Sequence, residues 1–326
     1  MLAFTLRRLL IAIPILVISS FITFFLVALS GDPLGDLKTH QPPLPPSTIA
    51  AKRHLLHLDE PLFPRYWHWL TGLLHGDFGP SVKQNFNIGS QLGHRLTVTM
   101  RMVALAMLLA VIFAVIVGVI SAVRQYSGLD YAFTFTGFLF LSMPSFWLAI
   151  LLKEFLAIRI NGWTGHTLLY TIGDSSVEDK HGLAHVQDIA GHIILPTIVL
   201  ALISYASWSR FQRASMLDVL NSDYIRLARA KGLTNRRVMV RHALRTALIP
   251  LTTVTALDLA GILGGAVITE RVFQWHGMGE MLINGINDRD VYVVLAWLLV
   301  TAFIVVMFNL IADLLYAVLD PRIRYA

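Results

Sequence analysis

The chain contains no cysteine, which excludes disulfides, thiolate metal sites, cysteine nucleophiles and a lipid-modified N-terminal cysteine. Charge is also scarce. Asp, Glu, Lys and Arg make up 14% of the 326 residues and apolar residues 56%, where a soluble domain carries about 25% and about 45–50%. With a mean hydropathy of +0.65, an ordinary soluble domain is excluded. There is no GxxxxGK[ST] run to cradle phosphates, hence no ATP site of that kind. No GxSxG offers a nucleophile elbow, and no HExxH or similar ligand spacing occurs. His54, His57, His181, His185 and His192 read as scattered surface residues rather than metal ligands.

What is present is a series of apolar runs, each near the length of roughly 20 residues that spans a bilayer. They predict an all-α, polytopic membrane protein with six spans, at about 9–29, 102–122, 131–157, 193–208, 247–269 and 291–318. The first run follows Arg7 and Arg8 and is longer than a signal-peptide core, so it reads as an uncleaved transmembrane helix. The fourth continues helically beyond its apolar part. The chain divides into residues 1–29, the N-terminus and first helix, then an extracytoplasmic segment 30–100, then a core domain 101–326 with five spans.

Orientation follows from Lys and Arg. With the N-terminus inside, the cytoplasmic segments hold Arg7, Arg8, Arg124, a dense cluster from Arg210 to Arg245, and Arg322 and Arg324. Asp32, Asp36, Asp59, Glu60, Asp77, Asp174, Glu178 and Asp179 fall on the other face. This positive-inside bias puts both termini in the cytoplasm. It also accounts for the pI near 9.7 without nucleic acid: the basic loop offers only Tyr224 for stacking. Residues 30–100 open with a Pro-rich "HQPPLPPS" and then predict two short helices, Ser47–His57 with Ser47 as N-cap and Leu62–His75, ended by "GDFGPS".

The cytoplasmic loop 209–246 carries clear punctuation. An extension Arg210–Leu220 ends at Asn221. Ser222 or Asp223 caps a short helix through Lys231, and Gly232 takes the left-handed C-terminal position. Thr234 caps a third helix leading into the fifth span. In the short helix Ala228 and Gly232 share a face, with Ala230 beside them, and Arg226, Arg229 and Lys231 surround it. A face stripped of side chains fits a groove on another protein. Positive-inside charge alone accounts for the arginines but not for the caps, so the segment Asp223, Tyr224, Arg226, Ala228, Arg229, Ala230, Lys231, Gly232 is read as a docking element. Among intramembrane charges only Asp258 lies well inside a span. It suits the lining of a polar translocation path, a packing partner of Asn309, or ion coupling in a secondary transporter. Lys153 and Glu154 lie where snorkelling is cheap.

These residues resemble the membrane permease of a bacterial ATP-binding-cassette importer. The loop is similar to the "EAA" loop of such permeases, with its second alanine at Ala228 and its glycine at Gly232. The peptide-importer subgroup typically carries ARAKG followed by HxLRxALIP, here Ala228–Gly232 and His242–Pro250. "GDFGPS", "SMPSFWLAILL", "ILPTIVLAL", "RFQRASMLDVLNSDYIRLARAKGL", "GGAVITERVFQWHGMGEML" and "NLIADLLYAVLDPRIR" follow in order along nearly the whole chain. The short N-terminus, large outer segment and terminal DPRIR resemble the B-type permease. The resemblance implies a type I importer fold in the bacterial cytoplasmic membrane. It implies as partners a second homologous permease, ATPase subunits that hold ATP and magnesium, and an extracytoplasmic substrate-binding lipoprotein. This chain then binds no cofactor of its own and is no enzyme. Its cargo is di- or oligopeptides, with nickel and glutathione carried by importers of the same subgroup. The short loop helix is implied to seat in an ATPase cleft.

Overall fold

The computed structural model describes residues 2–38, 45–83, 85–176 and 181–319, apart from the side chains of 2–9, 36, 37 and 313–319. Most of the Pro-rich linker, Glu178, Asp179 and the terminal DPRIR lie outside the described residues, as do the side chains of Arg7, Arg8, Asp36 and Asp313. All regular structure among the described residues is helical. In chain order the α-helices are α1 (Leu2–Leu29), α2 (Gly35–Lys38), α3 (Pro46–Leu55), α4 (Leu62–Leu73), α5 (Ile88–Val123), α6 (Gly128–Ser142), α7 (Ser145–Leu151) and α8 (Ile158–Thr164). There follow α9 (Leu183–Leu220), α10 (Asp223–Ala230), α11 (Asn235–Arg237), α12 (Arg245–Leu257), α13 (Leu259–Phe273), α14 (Met278–Asn287) and α15 (Val291–Leu319). π-Helical stretches at Leu152–Ala157 and Val238–Leu244 join α7 to α8 and α11 to α12.

Four helices are each long and apolar enough to cross a membrane without a break, within Leu10–Leu29, Ile88–Val123, Leu183–Leu220 and Val291–Ala312. The other two expected spans are not single helices. Gly128–Ser142 and Ser145–Thr164 meet at 109°, and Asn235–Leu257 and Leu259–Phe273 at 51°. The first break has a local cause. Pro144 has no N–H to donate and holds Met143 in extended geometry, φ −81°, ψ 129°. At the second break no proline is present, and Asp258 stands at the joint with φ −74°, ψ −10°. The expected extension of the fourth span is confirmed: α9 runs unbroken over 38 residues, about 57 Å at 1.5 Å per residue, well beyond a hydrocarbon core of about 30 Å.

The chain groups into two compact units, residues 1–99 with 276–306 and residues 100–275 with 307–326. This division cuts across the sequence-based split into 30–100 and 101–326, because residues 276–306 pack with the first hundred. In the first unit, Phe24 of α1, Tyr66 and Trp69 of α4, and Tyr292 and Leu295 of α15 share one apolar core. The "GDFGPS" loop is clamped there. Gly79, at φ +90°, lies so close to Tyr292 and Trp69 that a Cβ would meet the Tyr292 ring at 2.8 Å. Trp69 Nε1 donates to the Phe78 carbonyl, and Ser81 Oγ and Val82 N donate to Asp290 Oδ2 at 2.6 and 2.8 Å. Asp290 in turn caps α15 through Val293 N. Burial pushes the Asp290 carboxyl above its ordinary value, outweighing these donors. Ser47 is not the cap of α3: Pro45 holds that position and makes no side-chain cap bond, with Pro46 opening the helix.

Candidate functional site

In the second unit α9 carries straight into the basic loop. Ser222 occupies the N-cap position of α10 with extended backbone, φ −73°, ψ 151°, but its hydroxyl turns back to the Val219 carbonyl and leaves the first turn of α10 without a side-chain cap. Asp223, in the first turn, sits at the positive end of the helix dipole and pairs with Arg226 at 3.5 Å. Both side chains are largely exposed, so that pair contributes little. The C-terminus is better defined. Gly232 N donates to the Arg229 carbonyl at 2.9 Å and Leu233 N to the Ala228 carbonyl at 3.4 Å. Together they form a Schellman motif that needs a left-handed residue at Gly232, φ +77°. Nothing lies within 4 Å of a Cβ built there, so this glycine is required by its backbone and not by crowding.

The phase of α10 corrects the sequence reading. Ala228 does not face outward: with Ile225 it is buried in the chain's own core, against Ala122 of α5, Met216 of α9, Val238 and Ala243 of the π-helical stretch, and Ala247 of α12. Leu233 packs on the same cluster, which is the apolar contact that accompanies a Schellman motif. The outward surface of this segment is formed by Tyr224 and Leu227, 43% and 56% exposed, with Asp223, Arg226, Arg229, Ala230, Lys231 and Gly232 around them. Leu227 is the residue that sequence reasoning missed. Its spacing from Tyr224 by one helical turn was the available signal.

Behind this cluster stands a charged clamp. Arg213 of α9 grips Asp130 of α6 with Nε on Oδ1 and Nη2 on Oδ2, both at 2.8 Å. The Ser121 hydroxyl and Tyr126 N also donate to Asp130, which is 3% exposed. The paired, bidentate geometry makes this a strong contact. The positive-inside bias accounts for the charge of Arg213 but not for this pairing. The sequence hint was "SGLD", where the Ser127 hydroxyl accepts from Asp130 N at 3.3 Å and starts α6.

Asp258 accepts a 2.7 Å hydrogen bond from Nε1 of the fully buried Trp208, so its partner is Trp208 rather than Asn309. Lys153 does not snorkel outward: Nζ donates to the Val272 carbonyl at 3.0 Å and lies 5.2 Å from the centre of the Phe273 ring. It thereby neutralises the C-terminal end of α13, together with Gly173 N on the Phe273 carbonyl. Not all histidines are surface residues either. His192 is buried and stacks on Tyr170 at 3.9 Å. Among the described residues, His57, Glu60 and His68 are the metal-type ligands brought together.

Comparison with known proteins adds the following. A family model described as "Binding-protein-dependent transport system inner membrane component" matches residues 114–325, and its N-terminal companion matches residues 1–103. The oligopeptide transport system permease protein OppB of Mycobacterium tuberculosis is 40% identical over 319 residues, 98% of each chain. AppB of Bacillus subtilis, also an oligopeptide transport system permease protein, is 36% identical over 330 residues, all of both chains. The dipeptide transport system permease protein DppB of Escherichia coli K12 is 35% identical over 352 residues, 100% of this chain and 99% of the relative.

Proposed function

The chain belongs to the family of binding-protein-dependent transport system inner membrane components, and from that premise we propose that it forms half of a pore that imports di- or oligopeptides. It is a multi-pass inner-membrane permease and not itself an ATPase. Its work depends on ATPase subunits that hold the ATP and magnesium, on a binding protein that delivers cargo, and on a second homologous permease. Both termini face the cytoplasm in this reading, as the Lys and Arg bias implies. The peptide cargo rests on relatives of both the oligopeptide and dipeptide systems.

The observation that carries the mechanism is the two-sidedness of α10. One side, Ile225 and Ala228, is fixed in the bundle, while Tyr224 and Leu227 stay open amid basic side chains. A helix held in this way seats in an ATPase cleft and passes its closure to the membrane helices as a rigid-body change. Asp258, at the bend between α12 and α13, belongs to the translocation path in this reading.

Proteoliposomes holding the assembled transporter should accumulate labelled tripeptide only with ATP inside and binding protein outside. Competing peptides should suppress uptake, and nickel or glutathione should not. Uptake driven by a proton gradient without ATP, and abolished by Asp258→Asn, would instead establish a secondary transporter.

A further inference from the structure

We propose that His57, Glu60 and His68 form a binding site for one divalent transition-metal ion of the zinc type, bridging the turn after α3 to α4. The three side chains converge from different local structures. His57 sits in the turn beyond α3 with φ +54°, a left-handed conformation uncommon for a residue other than glycine. It is held there by its own N–H on the His54 carbonyl and by Glu60 N on its carbonyl. Glu60 immediately precedes Pro61, which starts α4, and His68 projects from α4 itself. His57 Nδ1 lies 3.1 Å from Glu60 Oε1, and His68 Nδ1 lies 2.9 Å from Glu60 Oε2. All three ligand atoms fall within 4.8 Å of one another.

Two features favour a cation over a simple hydrogen-bonded cluster. Glu60 Oε2 is shielded from solvent and faces the His68 nitrogen at 2.9 Å without regular hydrogen-bond geometry. A shielded carboxylate oxygen so placed is better satisfied by a positive charge facing it. In addition, ligands about 2.0–2.1 Å from a zinc ion stand about 2.9–3.4 Å apart along the edges of its coordination polyhedron, and the two imidazole-to-carboxylate separations fall in that range. Two imidazoles and one carboxylate suit zinc and its borderline neighbours better than magnesium or calcium, which prefer all-oxygen sets. The side chains of His57 and His68 are 41% and 58% exposed, so an ion can enter directly and an outer position stays open to water.

The test uses the full chain in lipid nanodiscs, stripped with a chelator and then dialysed against zinc alone, with metal counted per chain. Wild type should hold one zinc equivalent more than Glu60→Ala or His68→Ala, whereas His54→Ala, a neighbouring histidine outside the cluster, should bind as wild type. Glu60→Gln keeps the side-chain shape and should weaken zinc binding at least about tenfold, which guards against a misfolded alanine variant. Zinc should also raise the thermal midpoint of wild type by mass action, and do so less in Glu60→Gln. X-ray absorption of the wild-type sample should report two imidazole ligands with oxygen. Equal zinc content in wild type, Glu60→Ala and His68→Ala overturns the proposal, as does wild-type protein without a saturable zinc equivalent.

Discussion

Replacing Leu227 with aspartate separates what α10 does for its own chain from what it does for a partner. Leu227 is 56% exposed, so the substitution removes little burial within the chain. The expected internal cost is the lower helix propensity of aspartate, about 0.5 kcal/mol. In a cleft, the same change places a carboxylate where an apolar anchor sat, and the loss of such an anchor typically costs 2 kcal/mol or more, about 30-fold in affinity. Ile225→Ala is the mirror image. Ile225 is fully buried, and a large-to-small change there costs about 2–5 kcal/mol in packing, while the outward face of α10 keeps its chemistry. Thermal unfolding in nanodiscs and co-purification of tagged ATPase subunits read the two effects separately. Leu227→Asp should melt within about 2 °C of wild type and retain little ATPase. Ile225→Ala should melt earlier and still capture ATPase, but with transport uncoupled from hydrolysis. If Leu227→Asp retains its ATPase at wild-type stoichiometry, the docking surface is elsewhere.

Asp130→Asn should destabilise the chain by about 2 kcal/mol, the range of a hydrogen bond to a charged group, because Asn cannot accept both Arg213 bonds as a carboxylate does. Arg213→Lys, which keeps the charge but loses the fork, should retain only part of that contribution in thermal unfolding; wild-type stability in this variant would mean that charge alone matters there. A pH dependence follows from Asp290. Burial raises its carboxyl above the ordinary 3.8, so the folded state holds the proton more tightly than the unfolded one. Its contribution is therefore favourable in acid and is lost as the pH rises from 3.8 through the folded value. The melting-temperature difference between wild type and Asp290→Asn should fall across that window, and a rise would contradict the sign.

Gly232 shows what was legible in the sequence, and Ala228 shows what was not. The cap signals around α10 were local, so its boundaries and the left-handed glycine could be read from neighbouring residues. The direction of its small face could not. Small side chains suit a groove on a partner and equally a tight approach within the same chain, and only the buried Ile225, three residues before Ala228, fixes the phase. The bends were hidden for a related reason. A run of apolar residues specifies a solvent, not an axis, so 131–157 and 247–269 each read as one span. Pro144 was a visible warning of the first break. The second has no breaker, and the Trp208–Asp258 bond at its joint pairs residues 50 apart. Arg213 and Asp130 are 83 residues apart, and no local pattern could join them.

α9 gives these contacts a mechanical meaning. Trp208 and Ser215 lie two helical turns apart on one side of it. Trp208 binds Asp258 at the end of α12, and the Ser215 hydroxyl donates to the Ala247 carbonyl near its start, at 3.0 Å. α12 is thus tied to α9 at both ends, and α10 is seated on residues of both through Ile225 and Ala228. A load applied to α10 cannot move one of these helices alone without breaking one of these hydrogen bonds or opening the apolar cluster. The Arg213–Asp130 pair extends the same body to α6. Beyond Asp258 the backbone bends by 51° into α13, and Lys153 holds the far end of α13 through the Val272 carbonyl. Asp258 is therefore the joint at which α12, tied to α9, changes direction into α13, which itself packs on α7 and α9.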